Sequence, residues 1–94
     1  MSSSITLAWD DNNVDHLWQS HQVTPDEVEE VLLGIEGQDP QLVQTRDGDY
    51  HAFLGQTGGG RMLSMVGEFL DGRQLYVFSA RDMNEREKRR YRRQ

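Results

Sequence analysis

Apolar positions in this chain recur with two different spacings. Up to about residue 35 they repeat every three or four residues, and after Pro40 they alternate every second residue. A short alternating run comes first: Ile5, Leu7 and Trp9 share one face of a strand predicted over residues 5–9. Asp10-Asp11-Asn12-Asn13 follows, with several side chains able to accept bonds from the unsatisfied N–H groups of a new helix. In that helix Val14, Leu17, Trp18 and His21 stand at i, i+3, i+4 and i+7, which predicts an apolar stripe ended by a histidine.

The second helix has the clearest start signal. Thr24-Pro25-Asp26-Glu27 reads as N-cap, first-turn proline and a glutamate that can bond back to the cap. Val23 before the cap and Val28 after it are spaced to pack on each other. Val28, Val31, Leu32 and Ile35 form the apolar stripe, Asp26 and Glu27 suit the positive end of the helix dipole, and Gly34 and Gly37 supply the stop. Two short helices joined by a few residues predict an antiparallel helical hairpin.

Four strands are predicted beyond Pro40. They cover residues 42–45, 50–56, 62–70 and 74–80, with turn signals at Asp47-Gly48, Thr57-Gly58-Gly59-Gly60 and Asp71-Gly72. This is an antiparallel meander with one face covered by the helices, since uncovered apolar side chains would stay wet. Asp82 and Glu85 are spaced to cap a last helix in which only Met83 and Tyr91 are apolar. Glu85–Arg89 and Glu87–Arg90 are expected as its internal ion pairs. The class is therefore α+β, in one domain over residues 1–94: a short strand and an αα-hairpin packed on a four-stranded antiparallel meander, then a basic helix.

Composition narrows the function. There is no cysteine, which excludes disulfides and thiolate metal sites. His16 and His21 are five residues apart and point to different helix faces, so no metal site is expected. No apolar run approaches the roughly 18 residues of a membrane span, and Met1-Ser2-Ser3-Ser4 lacks a signal-peptide pattern, so a cytoplasmic location away from membranes is expected. The net charge of -6 is not evenly spread. Residues 1–45 contain no Lys or Arg, whereas Arg81, Arg86, Lys88, Arg89, Arg90, Arg92 and Arg93 crowd the end. Exposed charges are screened beyond about 8 Å at physiological salt, so such a segment can meet an anion, or the acidic half of the chain, despite the net charge.

Trp9-Asp10-Asp11, the junction from His21 to Val28, the hairpin Arg46-Asp47-Gly48-Asp49-Tyr50, and the ending Ser79-Ala80-Arg81-Asp82-Met83 with Glu87-Lys88-Arg89-Arg90-Tyr91 together resemble the BrnT toxin family over nearly the whole chain. That resemblance implies a compact fold similar to RelE-type ribonuclease toxins, a BrnA-like antitoxin as partner, and metal-independent cleavage of RNA without a cofactor. The chain departs from the family pattern at Asn13 and Ser20, where basic residues are usual, and in having Gln22 between His21 and Val23.

Cleavage of this kind needs a base for the 2′-hydroxyl, cations on the phosphate and an acid for the leaving oxygen. His21, His51, Tyr50 and Glu68 are candidates for proton transfer, and Arg46, Arg61 and Arg81 for a bidentate phosphate clamp. The catalytic set is His21, Tyr50, Arg61 and Arg81, with Arg46, Lys88 and Tyr91 as RNA contacts. Each has a plainer role: Arg81 in an ion pair with the acidic helix from Asp26 to Glu30, His21 on a helix end, the tyrosines in packing, Arg46 and Arg61 at the surface. Two functions follow. One is a toxin-like ribonuclease held by an antitoxin, whose candidate side chains converge on an open sheet face. The other is a non-catalytic interaction module of the same fold, whose candidates are dispersed or locked in internal ion pairs. A homodimer fits either.

Overall fold

The structure is a computed structural model that describes residues 6–33, 41–44, 50–71 and 74–93. In chain order its elements are β1 (Thr6–Leu7), α1 (Asp11–His21), α2 (Pro25–Leu32), β2 (Gln41–Gln44), β3 (His51–Gln56), β4 (Met62–Asp71), β5 (Gln74–Asp82) and α3 (Glu85–Arg92). The expected stop at Gly34 and Gly37, the Asp47-Gly48 turn and Gly72 lie outside the described residues.

Helix α1 begins where Asp10 and Asn13 cap each other: the Asn13 N–H donates to Asp10 Oδ1 at 3.0 Å and the Asp10 N–H to Asn13 Oδ1 at 2.9 Å. The Asn13 side-chain amide also donates to the carbonyls of Ala8 (3.0 Å) and Val77 (3.2 Å), which ties the helix start to the outer edge of β5. This turns the helix relative to its expected stripe. Asn13 and Leu17 are buried, while Trp18 is 53% exposed and His21 also faces solvent. The polar anchor at the strand edge, rather than apolar spacing alone, sets which face looks inward.

The α1–α2 junction follows its local signals. Gln22 ends α1 in the left-handed conformation (φ 51°), its N–H bonding the Trp18 carbonyl at 2.8 Å. Thr24 and Glu27 form the expected capping box, and Val23 and Val28 are both fully buried.

The sheet order is β1-β5-β4-β3-β2. Strands β2 to β5 pair antiparallel with their sequence neighbours, but β1 joins β5 in parallel through Thr6↔Gln74 and Leu7↔Leu75. The sheet is therefore mixed, not purely antiparallel as expected. From β1 the chain passes through α1 and α2 to β2 at the far edge of the sheet, and the meander β2 to β5 then brings it back beside β1 in the parallel sense. Helices α1 and α2 pack Leu17, Val28 and Val31 onto the face carrying Phe53, Leu63, Met65, Leu75 and Val77.

Strand β5 contains a bulge. Val66 pairs with Ser79 and Gly67 with Val77, leaving Phe78 as the extra residue. The β5 backbone presses in there: a Cβ on Gly67 would lie 2.7 Å from the Tyr76 carbonyl oxygen, so only glycine fits.

The last helix starts two residues later than its sequence signal. Asp82 remains in β5, paired with Leu63, and Asn84 is the cap, exchanging bonds with Glu87 at 2.8 and 3.0 Å. The expected pairs Glu85–Arg89 and Glu87–Arg90 are not the ones formed: Glu85 meets Lys88 at 3.6 Å, and Glu87 turns to the sheet. Helix α3 packs on β3, and no described helix is long and apolar enough to cross a membrane.

Candidate functional site

Arg61 precedes β4 and sits at the corner where the end of α1, the start of α2 and the end of β5 meet. Its Nε donates to Asp82 Oδ1 at 2.8 Å. Nη1 donates to the Gln22 carbonyl at 2.9 Å and to both Glu27 oxygens at 3.2 Å. Nη2 donates to the His21 carbonyl at 2.9 Å and to Asp82 Oδ2 at 3.3 Å. A guanidinium has five N–H groups, and this set uses all of them. Three local facts produce it. The left-handed Gln22 aims the last carbonyls of α1 outward, the capping box fixes the Glu27 carboxylate, and the continuation of β5 brings Asp82 opposite. The Arg61 hydrogen bond, with the nearby charges of Arg61, His21 and Lys88, holds the Asp82 carboxyl below its ordinary range despite partial burial.

Arg81 lies on the opposite sheet face, where Ser64 pairs with it across the strands. Its two terminal nitrogens grip Glu87 at 2.8 and 2.9 Å, and Nη1 also donates to the Asp82 carbonyl at 3.1 Å. Ser64 donates to the same carboxylate at 3.2 Å. Burial pushes the Glu87 carboxyl up, but the bonds from Arg81, the Asn84 N–H and Ser64 outweigh it and hold the group below the ordinary range. So Arg81 does form an ion pair, with α3 instead of the acidic helix α2; it is Arg61 that meets α2.

The structure brings His21 and Arg61 together, through the histidine's backbone carbonyl, and places Arg81 one residue from Asp82 on the other face. Tyr50 is apart from them. It precedes β3 at the end where His51 pairs with Gly67, whereas Arg61 adjoins the Gln56–Met62 end. That is about 20 Å away at the ordinary strand rise. Its ring instead meets Phe78 edge-on, with centroids 5.2 Å apart. His51 packs edge-on against Phe69 with its Nδ1 buried and, among the described residues, without a hydrogen-bond partner. Of the RNA contacts, Lys88 is paired with Glu85, Tyr91 is half-buried on α3, and Arg46 lies outside the described residues. Glu68 pairs across the strands with Tyr76. Among the described residues no cluster of His, Asp and Glu is placed to hold a metal ion.

A second feature has no signature in the sequence. Asn12, Asn13, His16, Tyr76 and Phe78 line an open cleft of about 420 Å³ between α1 and the outer edge of β5. The Tyr76 hydroxyl donates to Asp10 Oδ1 at 3.0 Å; burial, then this carboxylate, pushes the phenol pKa up. The cleft depends on the bulge that displaces Phe78 and on the Asn13 anchor, and neither leaves a mark in hydrophobic spacing. No protein-family model matches this chain, and no curated protein and no solved structure matches it significantly.

Proposed function

We propose that this chain is the BrnT-like, partner-binding component of a toxin–antitoxin pair, in which the groups that would cleave RNA are closed off by internal carboxylates. The single observation that carries this reading is the full occupancy of Arg61: each of its N–H groups is already bonded within the chain. A phosphate could displace Glu27 and Asp82 only by leaving two carboxylates and two helix-end carbonyls without their shared donor. The element order, with two capped helices on one face of the sheet and a basic helix last, supports the RelE-like part of the resemblance. The partner in this reading is a BrnA-like antitoxin. Expression without any partner should leave growth unchanged, and purified protein at micromolar concentration should leave RNA intact; growth arrest or cleavage overturns the proposal.

A second reading, a metal-independent endoribonuclease, is favoured by one observation at Arg81. Its side chain is 41% exposed, and its Nε–H and one Nη2–H have no acceptor among the described residues. In that case Arg81 holds the phosphate. Arg81→Ala then abolishes growth arrest while wild-type expression causes it.

A further inference from the structure

We propose that the cleft between α1 and β5 receives arginine side chains from the α3 segment of a second copy of this chain. The inference is independent of whether RNA is cut.

The cleft suits a cation. Tyr76 and Phe78 are among its lining residues, and aromatic rings attract a guanidinium through the ring quadrupole. Its surroundings are acidic. Asp10 is bonded to Tyr76, Asp11 and Asp15 flank the lining residues Asn12 and His16 on α1, and Glu68 lies across from Tyr76. None of the lining residues is Lys or Arg, and residues 1–45 contain neither. A phosphate or a nucleotide would meet repulsion here, which argues against RNA as the occupant.

The chain itself carries the complementary surface. Among the described residues, Arg86, Arg89, Arg90, Arg92 and Arg93 make no side-chain hydrogen bond or ion pair, while the other α3 cation, Lys88, is paired. Helix α3 is fixed at its base by Glu87, through Arg81 and Ser64, so its arginines project from an anchored element. They do not serve their own cleft. Among the described residues, no α3 arginine is bonded to or ion-paired with Asn12, Asn13, His16, Tyr76 or Phe78 of the same copy. A pair of copies can exchange tails, each filling the other's cleft, and such an isologous contact closes as a dimer. Because the whole chain bears a net charge of -6, the contact is local and salt-sensitive.

Sedimentation equilibrium of the full chain tests this. At about 0.1 M salt and concentrations up to about 100 µM the mass should rise toward the dimer, and about 0.5 M salt, where the screening length is only a few ångströms, should return it to the monomer. Two variants separate cleft from tail: Asn12→Lys with His16→Lys, both exposed positions, and Arg89, Arg90, Arg92 and Arg93→Glu. Each alone should be monomeric with an unchanged far-UV circular dichroism spectrum. Mixed, they should associate one to one, because each then offers a surface of the sign that the other needs. A monomeric wild type at the highest concentration overturns the proposal. So does a cleft variant that dimerises as the wild type does, or a mixture that stays monomeric.

Discussion

At the corner where α1, α2 and β5 meet, one guanidinium serves six acceptor atoms; along α3 and at its C-cap Arg93, five guanidiniums serve none within the described chain. The two regions carry charge of the same sign and use it in opposite ways. Arg61 stands alone in sequence, between a glycine run and a strand, yet three separate elements converge on it. The α3 arginines are dense in sequence, yet their helix presents most of them to solvent. Cation density along a chain therefore indicates what is left for partners. Convergence of helix ends and strand ends decides what is consumed in holding the fold.

The largest effect is expected from breaking the first region. Arg61→Ala strands Glu27, Asp82 and the α1 carbonyls, and should cost about 2 kcal/mol, discounted for partial exposure, or roughly 10 °C in Tm. Arg92→Ala should stay within about 0.5 kcal/mol of wild type. Equal costs would erase the contrast between corner and tail. Glu87→Ala is next: it removes a cap, a bidentate pair and the Ser64 bond, for about 1 to 2 kcal/mol by thermal or denaturant melting.

The pH dependence sharpens the same comparison. Asp82 and Glu87 both titrate below their ordinary range when folded, because of Arg61 in one case and of Arg81, against burial, in the other. In acid the unfolded chain therefore binds more protons, so stability rises with pH there. The contribution is complete above the ordinary carboxylate range, near pH 4, and is lost as pH falls through the lower folded values. Tm should be level from about pH 8 to 5 and fall below about pH 4, less steeply in Asp82→Asn. An equally steep fall in that variant would detach Asp82 from the acid transition.

The smallest effect has the opposite sign. Gln22 holds a left-handed backbone that glycine adopts without its steric cost. Gln22→Gly should add about 0.5 kcal/mol, a rise of a few degrees in Tm, and leave the Arg61 contacts in place. A loss of stability would mean that the Gln22 side chain is needed at the corner.

What was legible in sequence follows from how local each determinant is. The Thr24–Glu27 box involves neighbours three residues apart and formed where expected, and Val23 and Val28 beside it are both buried in the core. The period-two strands were also readable, to within a residue or two. The parallel β1–β5 pair was not, because nothing in Thr6 or Leu7 specifies a partner nearly seventy residues away. By sequence Asn13 is one of several possible caps. Its burial and its bond to Val77 depend on where the strand edge runs, so the exposure of Trp18 went unforeseen. At the candidate site, residue types were found but their partners were not. Arg81 was expected against α2 and took Glu87, since Asp82 stayed in the strand and the cap moved to Asn84.

The account depends on the Arg61 guanidinium being committed to its own fold, and a double-mutant cycle between Arg61→Met and Glu27→Gln measures that commitment directly. Gln at position 27 keeps the Thr24 cap, so the cycle isolates the ionic contact. A coupling energy of about 1 kcal/mol or more from denaturant melts is expected. Additivity within about 0.3 kcal/mol would contradict it, leaving Arg61 available to an outside anion.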